Sequence, residues 1–269
     1  MNYKRNGSGV YPLLLTIVAV TLLLPVTGAP ALAQKPAAKV PDGLTAEKIL
    51  DKAVAALGGK SALQSVKSMT TRGNLSLSGQ GVSMTGAVET YVQMPDRFHT
   101  TQDLTVTLQG QKRNLKSVVV ANGKKGWTRE ATGTVRDLTS AEITQVLAEA
   151  DLGSDWKKRY REAKLLGVRK VGKSDAYAIR LTPRKEGKPV VQFYDTDSFL
   201  PLRTDVVQET PQGPIPVETY YDDYRKVAGI QVAHEIRQRF AASEIVTKVV
   251  EVKINSTIPA SKFSKPGSD

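Results

Sequence analysis

Apolar and polar residues alternate through most of the chain from Ser68 onward. Leu75 and Leu77 sit between polar neighbours, Gly79-Gln80-Gly81 turns the chain, and Val82, Met84, Gly86, Val88, Thr90 and Val92 then share one parity. A two-residue period of this kind predicts antiparallel strands with one buried face and one facing water, paired here as a hairpin. Pro95-Asp96 punctuates the next pair, in which Leu104, Val106 and Leu108 alternate with Asp103, Thr105 and Thr107 before 116–120 runs into Asn122-Gly123. Asn-Gly between strand-like runs predicts a type I′ turn. The same period returns at Tyr177, Ile179 and Leu181, at Val191 and Phe193, at Leu200, Leu202 and Val206, and through 215–224, 230–240 and 245–254, with turns at 172–175, 195–198 and 211–214.

Helical spacing is confined to a few stretches. Thr45 can cap a helix carrying Ile49, Leu50, Ala53, Val54 and Leu57 on one side, with Gly58-Gly59 as its stop, and a short turn follows over 61–66. The β pattern is then interrupted once, over 138–161. Thr139 and Glu142 form a capping box there, and Ile143, Val146, Leu147 and Ala150 fall on one helical face. Trp156-Lys157-Lys158-Arg159-Tyr160-Arg161 closes the interruption as a basic segment flanked by aromatics.

The fold class expected is mainly β (α+β): a long antiparallel sheet that curves strongly to bury its apolar face. The few short helices cover the concavity only in part, which predicts an open barrel with an apolar hollow large enough for a ligand. The parity that would line it comprises Leu75, Leu77, Met84, Val88, Leu104, Val106, Val118, Val120, Phe193, His234, Ile236 and Phe240. Ile143, Val146 and Leu147 would form the inner face of a lid. The alternative is that these residues pack on one another and fill the interior. Trp156, Lys157, Lys158 and Arg159 form either a solvated helix end or a contact for acidic headgroups or a partner, since aromatics beside Lys and Arg suit a membrane interface.

The stretch from Tyr220 to Ile236, YYDDYRKVAGIQVAHEI, concentrates carboxylates, tyrosines and a histidine. Parity places Tyr220, Asp222 and Tyr224 on one face and Tyr221 and Asp223 on the other, so the two aspartates diverge. Across the turn at 226–229, His234 shares the apolar face. The other histidine, His99, belongs to a distant strand, which leaves no converging three-ligand set, so no metal site is expected. Neither G-x-S-x-G nor H-E-x-x-H occurs, and a hydrolase would have to rest on Asp222 or His234.

At the N-terminus Lys4 and Arg5 precede an apolar run, 13–26, that ends in the small-residue stretch Gly28 to Ala33. This is the pattern of a secretory signal peptide, 1–33, with cleavage expected before Gln34. Residues 34–43 then read as a flexible tether and 44–269 as a single domain. Without cysteine there is neither a disulfide framework nor a lipid-acceptor thiol at the cleavage point. Loss of Lys4 and Arg5 from 38 basic residues leaves 36 against 26 acids, a net +10. In an exported protein such a field favours an anionic membrane surface or envelope partner, and no nucleic-acid recognition motif accompanies it. No cofactor is implied.

Four segments together resemble a known family. ALGGKSALQSVKSMTTRGNL (Ala56 to Leu75), ANGKKGW (Ala121 to Trp127), the Tyr220 to Ile236 stretch, and INSTIPASKF (Ile254 to Phe263) are similar, in order and spacing, to the LolA/LolB-like outer-membrane lipoprotein-sorting proteins of the periplasm. Ala233 stands where that group often has proline. The resemblance implies an unclosed antiparallel β-barrel with helices at its mouth, whose hollow receives acyl chains of a lipoprotein or lipid. The function expected is a non-enzymatic carrier; the alternative is an interaction module with a filled core that docks an envelope protein.

Overall fold

The computed structural model of the chain describes residues 39–265, apart from 80–81, 109, 150–151, 153–154, 185–187, 211–212 and 242. The signal peptide expected at 1–33 and most of the tether lie outside the described residues. In chain order the elements are α1 (Ala46–Ala56), α2 (Lys60–Ser65), β1 (Ser68–Gly79), β2 (Val82–Gln93), β3 (Arg97–Leu108), β4 (Gln111–Asn122), β5 (Lys125–Arg129), β6 (Val135–Asp137), α3 (Ser140–Glu149), β7 (Tyr160–Val171), β8 (Ser174–Pro183), β9 (Val190–Asp195), β10 (Pro201–Thr210), β11 (Gly213–Val227), β12 (Ile230–Phe240) and β13 (Ser243–Ile254). Two 3₁₀ turns, Trp156–Lys158 and Ala260–Phe263, complete them.

The strands form one 13-stranded sheet in the order β6-β5-β4-β3-β2-β1-β13-β12-β11-β10-β9-β8-β7. It is two meanders, β1–β6 and β7–β13, joined where β1 pairs with β13. The edges β6 and β7 do not pair with each other, so the barrel is unclosed. The seam falls where the sequence interrupts its alternation. The chain between β6 and β7 is taken up by α3 and a 3₁₀ turn, so no hairpin can form there.

Local chemistry explains the helices. Thr45 accepts a hydrogen bond from the Lys48 amide at 3.3 Å and caps α1. At α3 the expected capping box forms: the Glu142 amide donates to Thr139 Oγ1 at 3.3 Å, and the Thr139 amide donates to Glu142 Oε2 at 2.9 Å. Glycines permit the bend of the sheet. A Cβ at Gly86 would lie 2.1 Å from the Asp103 carbonyl oxygen, and one at Gly73 2.8 Å from that of Lys248. The neighbouring backbones come closer than any side chain allows.

Register shows that the helices share one face. The row Ile179, Gln192, Thr204, Thr219, Gln238, Ile245, Leu77, Met84, Val106 runs across nine strands from β8 to β3. At the β8 end of this inner face α1 packs its Ile49, Leu50 and Ala53 on Tyr177, Ile179, Leu181 and Tyr194. At the other end α3 sets Ile143 and Val146 on Val92, Phe98, Val119 and Ala121. The outer face of β2, β4 and β5 is covered instead by the C-terminal 3₁₀ turn, whose Phe263 packs with Tyr91, Val118, Val120 and Trp127.

Candidate functional site

Between the helix-covered ends, the inner face carries a contiguous apolar patch. Leu75, Met84, Val88, Leu104, Val106, Ile245 and Val249 form it, with Leu77, Leu115, Phe240 and Val252 packed against them. These residues come from six neighbouring strands, β4-β3-β2-β1-β13-β12, and among the described residues no side chain of α1, α2 or α3 belongs to the cluster. At the end of the sheet where β1 begins, α2 and the segment after α3 place Leu63 and Leu152 against Met69, Ile230 and Val232.

Polar side chains interrupt this face at defined heights. Thr71, Thr90 and Thr100 form a row across β1, β2 and β3, with Gln102 and Ser117 one step beyond. Thr90 and Thr100 share a hydroxyl–hydroxyl hydrogen bond of 3.0 Å, and Ser117 Oγ donates to Gln102 Oε1 at 3.4 Å. The β9–β11 half is more polar. There the Tyr194 hydroxyl donates to Gln192 Oε1 and the Tyr221 hydroxyl to Thr204 Oγ1. Burial raises the Tyr194 pKa, and the Tyr160 phenol adds to the effect, so Tyr194 remains a neutral donor.

No protein-family model matches the chain, and no curated protein matches it either. Solved structures do. A DUF1329 family protein from Desulfovibrio piger superposes with a TM-score of 0.56 at 17% identity, covering 82% of this chain and 97% of that one. A LolA superfamily protein from Nitrosomonas europaea gives 0.54 at 14%, covering 83% and 99%. A domain from Vibrio parahaemolyticus named for outer membrane lipoprotein sorting gives 0.52 at 12%, covering 81% and 97%. The fold is LolA-like.

On this LolA-like frame Leu75, Leu77, Met84, Val88, Leu104, Val106 and Phe240 come together in the inner patch. His234 and Ile236 lie on the same face by register but away from it. Ile236 packs with Tyr221 and Ala233, while His234 is buried with Nδ1 2.9 Å from the Val232 carbonyl oxygen. Three residues expected in the hollow face outward. Val118 and Val120 stand beside Trp127 and Phe263, and their neighbours Val119 and Ala121 face inward. Both faces of β4 are covered here, so residues 118–121 are apolar without a period. Phe193 packs outside with Ala176 and Ala178, because on β9 it is Gln192 and Tyr194 that face α1.

Ile143 and Val146, with Leu147 against them, pack on the inner face of β2, β3 and β4, the side on which a lid is expected. The basic segment divides. Trp156 is buried in the α1 cluster beside Tyr160 and is no surface anchor. Lys157 and Lys158 are exposed, 3.5 Å from Glu47 and 3.9 Å from Asp155 respectively. The Arg159 carbonyl accepts the Arg184 amide at 2.8 Å.

In the Tyr220 to Ile236 stretch, Asp222 lies 3.9 Å from Arg237 and Asp223 pairs with Arg225 at 2.6 Å. Asp223 has φ 50°, a left-handed residue that breaks the alternation. Tyr224 accordingly packs with Tyr221 rather than opposite it. His99 is on the outer face near Tyr91, so the two histidines are on opposite sides of the sheet. Among the described residues no three His, Asp or Glu side chains are placed to share a metal ion, and no helix is long and apolar enough to cross a membrane.

The threonine row is absent from the lining expected from the sequence, although Thr90 shares the parity of Val88 there. Thr71 likewise has the parity of Leu75, the signal that places it on the inner face, and polarity is what sets both apart from an apolar lining.

Proposed function

We propose that this chain is a non-enzymatic carrier of the cell envelope that holds acyl chains of a lipid or lipoprotein against its inner face. The observation that carries the reading is the patch around Leu75, Val88 and Leu104, drawn from six neighbouring strands with no helix in its cluster among the described residues. An acyl chain laid there leaves water at about 0.8 kcal/mol per CH₂ group, so a dozen methylenes supply roughly 10 kcal/mol before association costs. The LolA-like fold, the signal-peptide pattern ahead of it and the positive charge agree with work at a periplasmic membrane surface.

Native mass spectrometry of protein isolated from its own envelope, with titration of a fluorescent fatty acid, tests the reading. Co-purifying lipid, and uptake that falls when Val88 or Leu104 is replaced by Asp in a folded variant, are the expected results. Protein that is consistently empty and takes up nothing refutes it. A second reading, a module that docks an envelope protein by strand addition, has its own observation: β7 is a twelve-residue edge strand carrying Arg161, Lys164, Arg169 and Lys170. Partner binding that survives the Val88→Asp change, in protein that takes up no lipid, favours it.

A further inference from the structure

Thr71 is 3% exposed and stands on the inner face of β1, six residues from Leu77 at the far side of the apolar patch. Its Oγ1 is buried and has no hydrogen-bond partner. A buried hydroxyl left unpaired costs about 1–3 kcal/mol, so one that persists calls for a partner. The neighbours do not provide it. Across β2 the Thr90 hydroxyl is bonded to that of Thr100, on the other side stands Val252, and the next inner position along β1 is Gly73. Glycine there is fixed by the approach of the Lys248 carbonyl, and it leaves no side chain between Thr71 and the patch. The result is one unpaired hydroxyl at the polar edge of the apolar strip, and from Thr71 to Leu77 the strand covers roughly 20 Å at about 3.3 Å per residue, a length suited to a long acyl chain.

We propose that Thr71 Oγ1 donates a hydrogen bond to the ester carbonyl of a bound acyl chain, fixing how deep the chain lies. The inference rests on the carrier reading and narrows its substrate class to ester-linked acyl groups. A hydroxyl in this position reads a carbonyl and not the hydrocarbon, so it distinguishes an ester from an ether of the same length.

The test is displacement of a fluorescent fatty acid by 1-oleoylglycerol and by its ether analogue 1-O-oleylglycerol, which differ at the carbonyl. The wild type is expected to prefer the ester by about five- to ten-fold, which corresponds to one net hydrogen bond of about 1–1.4 kcal/mol. Thr71→Val should abolish the preference and leave ether binding within about two-fold, and Thr71→Ser should keep the preference. Equal binding of the two by the wild type overturns the Thr71 anchor and leaves the carrier reading standing. Binding of neither overturns both. Equal weakening of both ligands by Thr71→Val also overturns the anchor, since it marks a packing defect. If Thr71→Val does not fold, the wild-type ratio alone decides.

Discussion

Replacing Gly86 by Ala tests whether close strand approach sets the curvature of the sheet. The added Cβ would sit 2.1 Å from the Asp103 carbonyl oxygen and 2.7 Å from the Leu104 Cα, both backbone atoms that cannot swing aside. Ordinary van der Waals contact begins near 3.4 Å, so β2 and β3 would have to part locally by about 1.3 Å. A ladder hydrogen bond near 2.9 Å does not survive that stretch. Loss of two at about 1 kcal/mol each, with about 1–2 kcal/mol of overpacking strain, outweighs the gain of up to about 1 kcal/mol from replacing glycine within a strand. A net destabilisation of about 2–3 kcal/mol is expected, a large share of a typical stability of 5–15 kcal/mol. Urea unfolding followed by tryptophan fluorescence measures it as a lower midpoint with unchanged slope, and calorimetry as a Tm lower by roughly 5–10 °C. Because Leu75 and Leu104 flank Gly86 in the inner patch, fatty-acid uptake should weaken in the same variant. A Gly86→Ala protein as stable as the wild type would refute the claim that this contact needs glycine.

Two further outcomes follow from particular contacts. At Glu142 burial acts to raise the carboxyl pKa, but hydrogen bonds from Arg136 and from the Thr139 amide and hydroxyl, with the Arg136 charge, outweigh it and hold the value at about 2. Because that lies below the unfolded value of about 4.3, the stabilisation is complete above that pH and is lost as pH falls through about 2. The gap between wild type and Glu142→Gln, about 1 kcal/mol after solvent screening, should be full at pH 7 and close between pH 5 and 2; a pH-independent gap contradicts the assignment. Trp156→Ala should cost about 3 kcal/mol in urea unfolding, whereas Lys157→Glu with Lys158→Glu should stay within about 0.5 kcal/mol. The reverse ranking would return the tryptophan to the surface.

The legible parts were those whose cause is local. Thr45 and the Thr139–Glu142 box start their helices through hydrogen bonds made within one turn. β1 and β3 alternate over 72–77 and 102–106, where one face is buried and the other wetter, and β1, β2 and β3 lose the alternation at 68–71, 90–92 and 98–100, where both faces are covered. β7 was missed because register shifts near Arg161 and Leu166 break the two-residue period of its sequence. β6 is too short and too exposed to carry a period. The β4–β5 turn differs from the type I′ turn expected at Asn122-Gly123. The β4–β5 loop is Gly123-Lys124 with positive φ at Gly123 alone, the type II′ pattern with glycine first. The turn with two positive φ values, Ala228-Gly229, joins β11 to β12.

By itself the sequence determined that the chain builds antiparallel strands with few helices, and where it leaves off doing so, because alternation and capping depend on residues a few positions apart. It also marked Leu75, Met84, Val88 and Leu104 as one face. Tertiary structure alone decided which covered face was inner. Phe263, far along the chain, covers Val118 and Val120 from outside, and α1 draws Trp156 into the core. A residue's period reports that it is buried, and only the element packed over it says against what.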